Sequence, residues 1–154
     1  MIRMSLAQFK RLKTGKVEAE VKPVSDWNIR SDVRFERGGI LLRMTRGIRS
    51  LNWFFKRSWR VRDRETKIWE GEIYAALMGR IPKAKGKMKV LIISHRARML
   101  DKDNFIGGTK TLTDALKRLG LIVDDNPEYL EADYRQVKAH SDFAHTSIQI
   151  QEVA

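Results

Sequence analysis

The sequence predicts an α/β domain of the α+β kind. A small mixed β-sheet of about four strands carries two main helices, in the order β-α-β-α-β-β, over residues 39–154. Three observations predict it. Ile40, Leu42 and Met44 alternate with Leu41, Arg43 and Thr45, the two-residue period of a strand. Val90-Leu91-Ile92-Ile93 is apolar on both faces, as an interior strand is. Leu112, Ala115, Leu116 and Leu119 recur at i, i+3, i+4 and i+7, the stripe of an amphipathic helix. A chain of 154 residues is long enough for one such domain with a real core.

Taken in order, residues 1–38 read as a basic N-terminal arm. The plainer reading is a partly flexible extension, and the sharper one is a contact with DNA or with a second copy. The strand from Gly39 opens the core. Residues 46–64 then mix cations with rings: Arg57, Arg60, Arg62 and their basic neighbours surround Trp53, Phe54, Phe55 and Trp59. Such cations neutralise phosphates, and exposed rings stack on unpaired bases; the alternative is that the rings are core. A helix is expected from about Asp63 to Met78, with Trp69, Ile73, Ala76 and Leu77 on one face and Gly79 and Pro82 ending it. A basic loop leads to the second strand, Met88 to Arg98. The next helix runs from Lys110 to Leu119, and Gly120 stands where a helix stops. Tyr129–Lys138 and Ala144–Val153 read as two further strands, joined by a turn at His140–Phe143 into a hairpin.

Charge narrows the partner. The chain has 31 Lys and Arg against 19 Asp and Glu, a formal charge of +12, which favours polyanions, with nucleic acid ahead of an anionic membrane. There are no cysteines, so disulfides and thiolate metal sites are excluded. The longest aliphatic run is far short of the ~20 residues of a membrane helix, and the basic N-terminus has no apolar signal core. A cytoplasmic protein is expected. His95 in the second strand and His140 and His145 either side of the expected turn read as structural or solvated, since a zinc site needs three or four ligands in matching geometry.

Against this basic background four carboxylates stand out: Asp101, Asp103, Asp124 and Asp125. In an extended segment Asp101 and Asp103 would share one face. The Gly107-Gly108 pair reads as a turn delivering Lys110 to the first turn of its helix. The helix rises ~15 Å, so laid back along a strand it could bring the second acidic pair near the first. Clustered carboxylates repel one another unless a cation lies between them, and hard oxygen donors suit Mg²⁺. An EF-hand fails because Phe105 and Leu112 stand at ligand positions. A P-loop fails because Gly107-Gly108-Thr109-Lys110-Thr111 has the residue types in the wrong order.

The ordered set Asp101-Lys102-Asp103-Asn104, Lys110, Asp114-Ala115-Leu116, Gly120 and Asp124-Asp125 resembles the RusA-type Holliday junction resolvases. The match is close over about a fifth of the chain and loose over residues 39–153. It departs from the family in the extra residues Ile106-Gly107-Gly108 before the Lys. The resemblance implies a RusA-like nuclease domain over residues 39–154, acting as a Mg²⁺-dependent endodeoxyribonuclease, with Mn²⁺ as a substitute, on four-way junctions or related branched DNA. It implies a homodimer and a bacterial or phage-infected host cell. Asp101, Asp103 and Asp125 would hold the metal, with Lys110 completing the catalytic set. Asn104 and Asp124 would support them. Arg57, Arg60, Arg62 and Arg98 would contact DNA. The other classes to weigh are a basic DNA-binding protein without cleavage activity and a metal-dependent nuclease of flaps or forks.

Overall fold

The structure, a computed structural model, describes residues 32–36 and 39–153. Five strands form one mixed sheet: β1 (Asp32–Glu36), β2 (Gly39–Met44), β3 (Met88–Arg96), β4 (Leu130–Lys138) and β5 (His145–Glu152), in the spatial order β1-β2-β5-β3-β4. The helices among the described residues are α1 (Leu51–Phe55), α2 (Trp59–Ala76), α3 (Lys102–Gly108) and α4 (Lys110–Leu119). The expected α+β arrangement is the one formed, with a fifth strand added. β1 falls within the stretch read as an arm and pairs antiparallel with β2; the rest of that arm lies outside the described residues.

The expected hairpin does not form. β4 and β5 lie on opposite edges of β3, β4 parallel to it and β5 antiparallel. The physical reason lies in β3 itself. Val90, Leu91, Ile92 and Ile93 are all buried, and so apolar a strand is most stable with neighbours on both edges and layers on both faces. α3 and α4 carry the chain across to the parallel β4. The segment His140–Phe143 holds a single 3₁₀ turn at Ser141–Phe143, and it takes the chain past β3 instead of folding β5 onto β4.

One face of the sheet holds the main core. Leu42, Met44, Val90, Ile92, Ile148 and Ile150 meet Trp69 and Ile73 of α2 and Leu112, Ala115 and Leu116 of α4. Full burial of a side chain as large as Trp69 or Leu112 contributes about 2–3 kcal/mol each. The opposite face carries a smaller cluster of Leu91 and Ile93 with Leu41 and Val137. α2 starts four residues earlier than the periodicity predicts, at Trp59. α4 runs over the expected residues and ends at Gly120, whose φ of 79° is left-handed and suits glycine.

Ion pairs fasten the helical layer. Arg46, in the loop after β2, donates to Glu65 at 2.7 Å and to Glu72 at 3.2 Å, both on α2. Arg118 of α4 bridges Asp63 and Glu70 of α2. These pairs hold the loop 45–50 and α4 against the same helix, and so fix the parts of the molecule on which the candidate site stands.

Candidate functional site

The acidic element is helical, not extended, and this corrects the sequence reading of its geometry. Asp101 is the N-cap of α3: its carboxylate accepts from the Asn104 side-chain amide at 2.7 Å and from the Asn104 backbone N–H at 3.4 Å. An Asp at this position satisfies amides that a helix start leaves unpaired. The bonds from Asn104 hold the Asp101 carboxyl below its ordinary pKa. Asp103 lies exposed in the first turn of α3. A helix rotates about 100° per residue, so Asp101 and Asp103 do not share a face as strand alternation would have placed them.

The Gly107-Gly108 pair is likewise inside α3 and makes no turn. Its role is close approach. A Cβ on Gly108 would lie 1.8 Å from the Arg49 carbonyl oxygen, and one on Gly107 would lie 2.6 Å from a methyl of Leu51. Only hydrogen at these positions lets the loop 45–51 rest on α3. The same contact is tied from the other side, where the Asn52 backbone N–H donates to the Asn104 side-chain oxygen at 3.1 Å.

The second acidic pair follows α4. Lys110 donates to Asp114 at 2.8 Å and to Asp125. Lys117 donates to Asp124 and stands 3.6 Å from Asp125. Lys110, Asp114 and Lys117 are spaced i, i+4 and i+7, one face of the helix, and Asp124 and Asp125 dock on it. Partial burial of Lys110 works to lower its pKa, but the bonds from Asp114 and Asp125 outweigh this and leave it raised. The Asp125 carboxyl is lowered to about 2, chiefly by Lys110 and then by Asp124. Lys117 is raised through its bond to Asp124. Sequence reasoning missed Lys117, although its seven-residue offset from Lys110 placed it two turns along the same face.

The basic element adjoins α3, to which the Asn52–Asn104 bond ties it. Arg57 donates to the Trp53 carbonyl at 2.6 Å and its guanidinium lies 3.9 Å from the Trp53 ring centre. Arg49 lies over the same ring at 4.8 Å, and Arg60 over Trp59 at 5.8 Å. Arg62 and Arg98 are exposed. Next to this corner an open cleft of about 430 Å³ is lined by Thr45, Arg46, Gly47, Ile48, Arg49, Glu72 and Arg96. Burial lowers the pKa of Arg96, whose guanidinium donates to the carbonyls of Arg98 and Ile48. The rings divide as the sequence left open: Phe54 is buried, whereas Phe55 and Trp59 are 65% and 70% exposed.

The donor chemistry of Asp101, Asp103 and Asp125 fits a hard divalent cation, since all three offer carboxylate oxygens and two of them have lowered pKa values. Their spacing is another matter. Asp103 stands on α3 whereas Lys110 opens α4, and Asp125 rests on Lys110. Among the described residues no three carboxylate or imidazole side chains are gathered as a ready-made metal site. Among these residues, too, no helix is long and apolar enough to cross a membrane. No family model matches the chain, and a comparison with curated proteins returns no match.

Proposed function

We propose that this chain is a Mg²⁺-dependent endodeoxyribonuclease of branched DNA, acting on four-way junctions as a homodimer. The observation that carries the reading is the Asn52–Asn104 hydrogen bond, with the glycine contact beside it. It holds Asp101 and Asp103 beside the Arg-rich stretch 46–62, which carries no acid. Carboxylates repel phosphate, so acids at the edge of a polyanion-binding surface are counterproductive unless they hold a cation. Asp101, Asp103 and Asp125 are the residues that would hold it, with Asp124 in support. When bound, Mg²⁺ supplies Lewis-acid activation of the phosphodiester and of the attacking water.

The chain's own residues do the rest. Asn104 fixes the Asp101 carboxylate and anchors α1. Lys110, drawn from Asp125 to the phosphate, offers an ammonium to the charge that grows on the phosphoryl oxygens. Arg57, Arg60, Arg62 and Arg98 hold the backbone on either side. A junction has to be cut on two strands, and a two-fold dimer presents two equivalent sites.

The test is cleavage of a synthetic four-way junction with and without Mg²⁺, beside fork, flap and linear duplex. Asp101→Asn, Asp103→Asn and Asp125→Asn should each abolish cutting and retain binding. Wild-type rates in all three would remove the site assignment. Cutting of flaps or forks in preference to junctions would reassign the substrate. A second reading is a DNA-binding protein without cleavage activity, favoured by the lysines that already neutralise Asp124 and Asp125. Junction binding with no Mg²⁺-dependent cutting would establish it.

A further inference from the structure

The corner between α1 and α2 has the chemistry of a second kind of nucleic-acid contact. Residues 46–62 hold six Lys and Arg and no Asp or Glu. Arg46 is taken up by Glu65 and Glu72, which leaves Arg49, Lys56, Arg57, Arg60 and Arg62 to set the charge of the surface. Within this cationic stretch Phe55 and Trp59 turn outward while Phe54 is 2% exposed. Phe55 ends α1 and Trp59 opens α2, so the two exposed rings stand on either side of the short turn 56–58. Both sides of that turn are tied: Ser50 caps α1 through its side chain, the Arg57 N–H closes on the Phe54 carbonyl at 3.0 Å, and the Val61 N–H closes on the Ser58 carbonyl at 3.0 Å.

We propose that Phe55 and Trp59 form a stacking platform for unpaired bases of DNA, with Arg57, Arg60 and Lys56 holding the phosphates between those bases. Charge decides the occupant. A protein partner for two exposed rings would meet a rim of unopposed cations, whereas single-stranded DNA brings π-faces for the rings and phosphates for the rim. Stacking on rings is tolerant of sequence because every base has a face to offer. Paired bases in a duplex have no free face, so the platform selects unpaired DNA, as occurs where strands part at a branch. Trp53 is the inner member of the group. Arg49 and Arg57 already lie over its ring, so it stiffens the corner and leaves the outer rings to the ligand.

The inference rests on the polyanion reading given above and not on cleavage. Its test therefore uses the full chain with Asp103→Asn and no Mg²⁺, so that binding is read without cutting. Titration onto a single-stranded oligonucleotide carrying 2-aminopurine, and onto a duplex of equal length, compares the parent with Phe55→Ala, Trp59→Ala and Trp59→Phe. Single-strand affinity should fall on the order of tenfold for each alanine, with loss of the fluorescence change that stacking produces. Duplex affinity should fall less than about twofold, and Trp59→Phe should restore most of the loss. Both rings are exposed, and thermal melts of the variants should match the parent.

An equal loss on duplex and single strand would overturn the proposal, as would no loss on either. Unchanged single-strand affinity with a dimer that dissociates in sedimentation would make the rings a contact between copies instead. Ring-dependent single-strand binding in a chain whose wild type never cuts DNA would leave this inference standing and remove the nuclease.

Discussion

Replacing Gly108 by Ala puts the joint between the acidic helix and the basic corner under direct strain. The added Cβ would stand 1.8 Å from the Arg49 carbonyl oxygen, where ordinary contact begins at 3.4 Å, so the loop must retreat by about 1.6 Å. The obstacle is backbone and has no rotamer by which to turn aside. Overpacking of this kind costs about 1–3 kcal/mol, and the backbone obstacle puts Gly108→Ala at the upper end. Alanine returns up to ~1 kcal/mol of helix propensity, leaving a net loss of about 2 kcal/mol. For a chain of this length that lowers Tm by roughly 4–8 °C. Gly107→Ala is the control. Its Cβ would meet a Leu51 methyl at 2.6 Å, which a rotamer change can move, and Leu51 Cβ at 2.9 Å, which needs only a few tenths of an ångström of backbone shift, so the net loss should be ~1 kcal/mol, smaller than for Gly108→Ala. Thermal melts of both variants, with junction affinity at fixed salt, measure the difference. A Gly108→Ala chain as stable as the wild type, with unchanged affinity, would refute the close-approach account of this glycine.

Lys110→Ala should lower single-turnover cleavage sharply while Asp114→Ala leaves it near wild type. The surface pair itself is worth only ~0.5 kcal/mol, so melts should barely separate the two; normal cleavage by Lys110→Ala would reject its role. Junction affinity should fall by ~0.9 log units per decade of salt for each phosphate contact, and removal of Arg57, Arg60 or Arg62 should flatten that slope in a binding titration. The His95 and His145 rings stack at 4.0 Å across β3 and β5. Burial first, then His145 and Arg43, lowers His95 to about 3; burial, with Arg43 adding to it and the bond to the Phe143 carbonyl opposing it, lowers His145 to about 4. Both rings stay neutral in the fold while the unfolded chain takes up protons below about pH 6.5, so stability drops as pH falls from there toward 4. The slope is at most ~1.4 kcal/mol per pH unit for each ring. His95→Gln with His145→Gln should flatten that slope in melts between pH 7 and 5, and an unchanged slope would assign the acid sensitivity elsewhere.

What the sequence made legible was local. Leu112, Ala115, Leu116 and Leu119 announce α4, and Gly120 ends it where its left-handed φ is needed. β3 is visible because four apolar residues in a row leave few other places for it. The misreadings concern features whose meaning depends on distant neighbours. Gly-Gly serves either a turn or a close contact, and only the position of the Arg49 carbonyl decides between them. Asp101 with Asn104 three residues on bears the mark of a helix cap, whereas the spacing of Asp101 and Asp103 by itself suits a strand equally. The clasp of Lys110 and Lys117 on Asp124 and Asp125 depends on how the chain bends after Gly120, which no periodicity encodes. The hairpin failed because both C-terminal strands pair with β3, about forty residues upstream of β4 and fifty or more upstream of β5.

The place of β5 in the sheet has a consequence for how the chain is made. Gly39 pairs with Gln151 and Met44 with Thr146, so β2 finds its inner partner more than 100 residues later. β5 also closes on β3, and it is the strand that joins the β1–β2 ribbon to the β3–β4 ribbon. During synthesis the two ribbons therefore wait with facing edges of unpaired N–H and C=O groups, each a template for a foreign strand. Closure over such long separations is slow, because the loop entropy is lost before the contacts form. A ribosome that stalls before His145 releases two half-sheets with nothing between them, and those edges will recruit either a chaperone or each other.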